Sequence, residues 1–550
     1  MSTDKNRKIN LIWGINEMKG KFLRNLSLVM TVMTATSIFV GCGSKGSSSA
    51  TNSEKNININ DTGYPIVNED ITLNAVACVS PTSGDFNEMT MIKELEEKTG
   101  IDVQFECIPT NTWSEKKNLI LASGQLPDIF FGGGLSDSDI TKYGKQGMFI
   151  PLDDLIEKYA PNLKKLLDKY PEVKKAITSP DGHIYSLPYI DSFMPETIPD
   201  NLFINKTWLD KLGLEVPTTT DEYYNVLKEF KEKDPNGNGI QDEIPLTYRA
   251  NETFTGEYSM FGAFGVLDNK DHLMVKDGEV VFSPVQDNYK EAIKWFNKLY
   301  KEGLIDQEVF TQDGSQYTAK GKNEDMIVGS FIIYADENFV GAERATEDYV
   351  VLEPLKGPNG DQLWNRYENT IKIDQLSITN ANKYPEATMR LIDEFYEEDF
   401  SLTVHWGEIG KNLEKNGDTY SIMTPPEGVS VDQYRFQNCP GPYAPGIMSE
   451  EMYSKLQFAS DKIRKIERYD IYDKYATKDT LPVIRFTEEQ SNAIGTVFID
   501  IDNYVKEMKA KWITGQSNID EDWDAYKEQL QKMGLDKYLG AYKEGYNKYK

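Results

Sequence analysis

Between Ile71 and Phe131 the sequence alternates β-prone apolar runs with stretches of helical period, and few folds accept that order. Ile71 to Val79 reads as a strand. Asn87 to Lys98 follows as a helix, with Met91, Ile92 and Leu95 on one face and Gly100 to close it. Ile101 to Ile108 is a second strand, Trp113 to Ala122 a second helix ended by Gly124, and Pro127 to Phe131 a short third strand running into Gly132-Gly133-Gly134. A βαβαβ order demands crossover connections and a parallel sheet, hence an α/β fold. Ligands on such sheets sit at the carboxyl ends of the strands. Asp128, next to the glycines, is therefore a candidate cleft residue, with a loop or helix-cap role as the alternative.

The 550 residues exceed one compact core and predict two or three domains, or two large lobes. A capping box at Thr219 and Glu222 opens a helix through Tyr224, Leu227 and Phe230, at or just after the start of a second lobe. Further helices are expected over Tyr289 to Tyr300 and from Pro385 through Met389, Ile392 and Phe395. The last third is helix-rich: Ile494, Val497, Ile501, Val505, Met508 and Trp512 hold a helical period up to Gly515, and Trp523, Tyr526 and Leu530 continue it. Acidic residues outnumber basic ones by 88 to 60, a net charge of −28 that repels phosphate backbones and argues against nucleic acid as a partner. Four cysteines give neither a disulfide framework nor zinc spacing, and three scattered histidines support no metal cluster or triad.

Lys19, Lys21 and Arg24 precede an apolar run from Leu26 to Val40 that ends in Gly41-Cys42, the pattern of a secretory signal. Small residues before a cysteine at this place resemble a lipobox. Residues 1–41 are thus expected to be a lipoprotein signal peptide, starting at Met1 or Met18, and Cys42 the lipidated, palmitate-bearing residue of the mature chain. The apolar run falls short of the ~20 residues a transmembrane helix needs. Residues 42–69, rich in Ser, Asn and Gly, are expected to be a flexible tether, which places the body on the extracellular face of a cell membrane.

From Asp234 to Glu243 the sequence DPNGNGIQDE sets oxygen side chains at loop positions 1, 3, 5 and 9, with Gly at 6. Calcium takes six to eight oxygens, and alternate side chains of a Gly-bent loop converge on such an ion while position 7 offers its carbonyl. Pro245 stands where a bidentate Glu is usual, and Glu243 can close a shorter loop. The competing reading is an Asn-Gly turn without metal.

With these features in hand, the chain resembles extracellular solute-binding proteins of the family 1 class, and within it the LplA-like lipoproteins of Gram-positive bacteria, relatives of alginate-binding periplasmic proteins. The likeness is carried by NKTWLDKLGL from Asn205, Val216 to Thr219, the loop with Asp242-Glu243-Ile244-Pro245, YKEGLIDQEVFTQD from Tyr300, NKYPEATMRLIDEFY from Asn382 and the stretch from Trp512 to Tyr538. It implies a periplasmic-binding-protein-like II fold: two α/β lobes around a cleft, with residues 70–195 and 370–405 in the first lobe and 196–369 and 406–550 in the second. Chain crossings are then expected near 188–204, 352–376 and 400–410. It also implies a structural calcium ion held by Asp234, Asn236, Asn238, the Ile240 carbonyl, Asp242 and Glu243. The function implied is capture of a carbohydrate, most simply an oligosaccharide, by a monomer that hands it to the permease of an ABC importer and is not an enzyme. A sensor or peptide-binding protein, or a surface glycoside hydrolase, are the alternatives.

A sugar needs aromatic platforms and fixed polar groups. Of 31 Tyr, 24 Phe and 8 Trp, Tyr189 and Trp406 fall near expected crossings, Trp364 and Tyr367 in a polar stretch, Tyr334 after an apolar run and Tyr443 in a Pro/Gly loop. These six are the expected cleft aromatics, with core filling as the alternative for each. Trp208, Trp295, Trp512 and Trp523 keep helical spacing and are expected in the core.

Overall fold

The computed structural model describes residues 59–60, 62–368, 370–426, 429, 431–458 and 460–550. The expected signal peptide 1–41, Cys42 and the tether up to residue 58 lie outside the described residues. Strands Ile71–Val79, Ile101–Pro109 and Ile129–Phe131 run parallel, Ile71 opposite Ile101 and Ala75 opposite Ile129. Helices Thr90–Thr99 and Thr110–Ser123 connect them, each stopped by a left-handed glycine, Gly100 and Gly124. The βαβαβ expectation thus holds.

Three more strands complete a six-stranded sheet in the order Gly446–Met448, Leu187–Asp191, Ile371–Ile378, Ile129–Phe131, Ile71–Val79, Ile101–Pro109. A second, four-stranded sheet has the order Tyr349–Val351, Asn201–Asn205, Val328–Ile333, Ile244–Thr247. Each sheet has its own apolar core, so the molecule has two α/β lobes. Residues 192–200 and 352–368 carry the chain between them, and these connections run close together because Leu187–Asp191 and Ile371–Ile378 pair antiparallel.

Two boundaries differ from expectation. The third crossing was placed near 400–410, with 406–550 in the second lobe, yet Gly446–Met448 pairs in parallel with Leu187–Asp191 of the first sheet. Trp406, Leu413, Tyr420, Met448, Met452 and Leu456 bury their side chains with Tyr189 and Leu402, which keeps this stretch on the first lobe. The chain returns only with helix Ser460–Tyr472, where Tyr472 accepts a hydrogen bond from Leu202 N and Arg468 pairs with Asp336 at 3.0 Å. The tether also ends before residue 69, since Ile66 and Val67 are buried in the first-lobe core.

The second lobe is closed by helix Glu488–Thr514, whose inward face carries Ile494, Ile501, Val505 and Trp512. Trp208, Trp512 and Trp523 are buried in this core as expected, and Trp295 packs partly buried against it. Lys509 from this helix forms a wholly buried ion pair with Glu257. Among the described residues no helix is long and apolar enough to cross a membrane.

Candidate functional site

The carboxyl edge of the first sheet is shaped by the triple glycine. Gly132, Gly133 and Gly134 all take positive φ, between 82° and 84°, a conformation that side chains resist. A Cβ on Gly134 would stand 2.2 Å from Trp113 Nε1, and one on Gly132 2.4 Å from the Cys78 carbonyl. The bare backbone lets Gly134 N donate to Asp374 Oδ2 at 2.7 Å. Burial pushes the Asp374 carboxyl above its usual range, partly offset by that hydrogen bond.

Asp191 ends the strand beside the crossing and gathers three donors. Tyr453 Oη lies 2.7 Å away, Phe193 N 3.0 Å and Tyr189 Oη 3.1 Å. Two cations stand nearby: Lys372, on which the Asp191 charge acts, has Nζ 5.6 Å from the Tyr189 ring centre, and the Arg435 guanidinium, paired with Asp432, lies 4.5 Å from the ring centre of Trp406. Lys372 is water-accessible yet hemmed in by protein, as a group on the floor of a recess is, and this enclosure lowers its ammonium pKa.

The opposing wall comes from the second lobe. Tyr334 Oη donates to Glu196 at 2.5 Å, and Lys465 Nζ sits 2.7 Å from the same Glu196 and 3.4 Å from the Tyr334 ring centre. Burial brings the Lys465 ammonium down to about 8. Phe254 meets Tyr334 edge to face, centroids 6.1 Å apart, and is 53% exposed, a large apolar ring left open to water. Phe193, at the crossing, packs against Tyr453 and Phe458. Aromatic surface among fixed donors and acceptors is what recognition of a polyhydroxylated ring requires.

Of the expected cleft aromatics, Tyr334 lies on this wall, and half-buried Tyr443 turns its carbonyl towards Gly132 on the rim. Trp406 is 5% exposed beneath Arg435, and Tyr189, at 1%, lies under the floor; both support the site from behind. Trp364 is a correction: it is buried in the second-lobe core, donating Nε1–H to Asp200 O at 3.0 Å and packing on Tyr472, because the chain around it inserts between core elements. Tyr367 lies elsewhere, lining a cavity of about 260 Å³ with Arg366 and Tyr542. Asp128 is also corrected. It precedes its strand, so it sits at the amino end, accepting from Asn74 N at 2.8 Å, and only the glycines after Phe131 reach the cleft edge. Sequence reasoning missed Asp191, Phe254, Lys372, Arg435 and Lys465. Phe254 carried a signal, a lone aromatic within the polar run Asn251 to Thr255.

The loop Asp234 to Glu243 folds on itself. Asp234 takes φ 51° and accepts from Gly237 N and Gly239 N, while Asn236 and Asn238 accept from Asn238 N and Ile240 N. Asp242 accepts from both Asn side-chain amides. Glu243 has both carboxylate oxygens buried without a hydrogen-bond partner, and burial, then the charges of Asp234 and Asp242, push its carboxyl up. Among the described residues no cluster of three or more His, Cys, Asp or Glu side chains is drawn together as a metal site. The donors here are mixed, carboxylates with amide oxygens, and an unpartnered carboxylate that feels the charges of Asp234 and Asp242 fits a hard cation.

Residues 86–399 match the model of the family described as bacterial extracellular solute-binding protein. This chain belongs to that family. It is 35% identical to the fructooligosaccharide ABC transporter substrate-binding protein FusA of Streptococcus pneumoniae serotype 4, across 97% of this chain and 99% of the relative. The structure of S. pneumoniae FusA in complex with kestose superposes with a TM-score of 0.76 at 36% identity, covering 87% of this chain and 99% of that one. The alginate-binding protein AlgQ2, without calcium ion, shares the fold at 24% identity and a TM-score of 0.66, over 87% of this chain and 98% of that one.

Proposed function

We propose that this chain is the substrate-binding component of a carbohydrate ABC importer and that it takes a short fructooligosaccharide. The observation that carries this reading is the open face of Phe254 against Tyr334, opposite a floor where Asp191, Lys372 and Arg435 offer fixed polar groups. The near full-length likeness to FusA supports the fructan as ligand. Hinge movement at the crossings closes the walls on the sugar, and the permease receives the closed form. The protein binds without chemistry, as a monomer, and is held by a diacylated Cys42 at the extracellular face of the cell membrane. A calcium ion, held by Asp234, Asn236, Asn238, the Ile240 carbonyl, Asp242 and Glu243, neutralises the carboxylates of the loop and fixes its shape.

Calorimetric titration of kestose, with maltotriose and an alginate trisaccharide as comparisons, tests this. Kestose is expected to bind and to be recovered intact after long incubation. Preference for another saccharide would remove the fructan assignment, no binding to any saccharide the whole reading, and cleavage the binding-only claim.

A further inference from the structure

Residues 481–486 follow the surface of the second lobe, with Leu481 and Ile484 packed on its core and Phe486 buried in it against Tyr542 at 4.9 Å. Arg485, between two anchored neighbours, points away into the first lobe. Its Nε stands 2.8 Å from Asp137 Oδ1, and Nη2 donates to Ser179 Oγ at 3.0 Å. Phe486 N adds a long contact of 3.4 Å to Asp137 Oδ2. Asp137 is the first residue of helix Asp137–Lys145, which follows the triple glycine, and that helix end favours a carboxylate. Ser179 is buried in the turn after helix Pro171–Ile177. The socket is therefore built wholly from first-lobe elements. The Arg485 side chain is 5% exposed; Nε and Asp137 Oδ1 meet as a charge pair without hydrogen-bond alignment, and Nη1 finds no partner. Asp374 of the cleft floor is near enough for its charge to act on the guanidinium.

We infer that Arg485 is a positioning residue for ligand retention: it inserts from the second lobe into a socket on the first and holds the two walls of the cleft together around a bound saccharide. The inference rests on the ligand-capture reading. Rotation about the crossings withdraws a group whose flanks are fixed in one lobe from partners fixed in the other, so the pair is intact only while the lobes are together. Breaking one side of a buried charge pair acts on release more than on association.

Stopped-flow kinetics with kestose and small-angle scattering of the ligand-free protein test it together. Arg485→Ala is expected to release kestose about tenfold faster, with association changed less than about threefold, and to raise the radius of gyration. The swapped pair Asp137→Arg with Arg485→Asp is expected to regain most of the retention, which a loss of packing alone would not permit. If Arg485→Ala fails to fold, Ser179→Ala, which removes only the Nη2 acceptor, is expected to quicken release about threefold. Unchanged release in a folded variant overturns the inference. If the wild type binds no saccharide, the functional reading falls and scattering alone decides: an equal radius of gyration for wild type and Arg485→Ala overturns the clasp as well.

Discussion

The ring of Tyr189 lies flat on that of His405, centroids 4.3 Å apart and planes 11° from parallel. His405 is wholly buried, Nδ1 lies 2.7 Å from Ser401 O, and Nε2 has no partner. Burial, assisted by the charge of Arg435, brings its imidazole from 6.5 down to about 3. The unfolded chain then binds a proton that the folded one refuses, so stability is complete above the unfolded value and is lost as pH falls from about 6.5 towards 3. His405 alone is expected to account for a loss on the order of 2 kcal/mol by pH 5. Thermal melts of wild type and His405→Gln across pH 5 to 7 check this: the variant is expected to show the shallower slope.

His272 titrates with the opposite sign. Burial pushes its imidazole down, but Asp268, 3.0 Å from Nδ1, and Asp502, 3.3 Å from Nε2, outweigh that and leave it raised. Its contribution is present in full below the unfolded value and fades as pH rises through the folded one. Replacing His272 by Gln is expected to lower the melting temperature more at pH 6 than at pH 8.5. An equal loss at both would show that the imidazole is neutral in the fold.

Glu243→Gln is expected to change stability in opposite directions with and without calcium. In metal-free protein it removes a buried, unpartnered carboxylate from beside Asp234 and Asp242, and the melting temperature rises. With calcium it removes a ligand, and the temperature falls. Chelation is expected to lower the wild-type melting point by about 5 °C and to have little effect on the variant. The same sign in both conditions would dismiss the ion from this loop.

Phe254→Ala is expected to weaken kestose binding about tenfold, roughly 1.4 kcal/mol, without a large loss of stability, because a half-exposed ring leaves no sealed cavity. Trp364→Ala is expected to destabilise the fold by about 3 to 5 kcal/mol while the folded fraction binds normally. Titration and denaturant melts of the two variants separate platform from core.

Cys42→Ala is expected to leave the precursor unprocessed or free of the membrane, as fractionation followed by mass spectrometry of the amino terminus will show. A processed variant that stays in the membrane fraction would place the anchor elsewhere.

What could be read before the structure was what depends on short-range periodicity: the βαβαβ order, the Thr219–Glu222 capping box and the helices of the last third. Tyr334 was found, and Trp364 misjudged, for one reason: both follow from tertiary packing, which sequence spacing does not encode. The three-residue strand Gly446–Met448 carries too little pattern to announce itself, so the return of the chain to the second lobe was placed too early. Lys372 and Arg435 resemble ordinary surface cations until the fold hems in the first near Asp191 and lays the second over Trp406.

The triple glycine limits how this site can diversify. No side chain fits at Gly132 or Gly134 without displacing the Cys78 carbonyl or the Trp113 ring, so this edge of the first sheet is closed to mutational exploration. Altered sugar preference must arise at partly exposed positions such as Phe254, Arg435 and Tyr443, whereas Cys439 between the last two is buried in the first-lobe core. A library confined to those partly exposed positions is expected to yield folded variants with shifted specificity, whereas one that includes the rim is expected to return mostly unfolded chains.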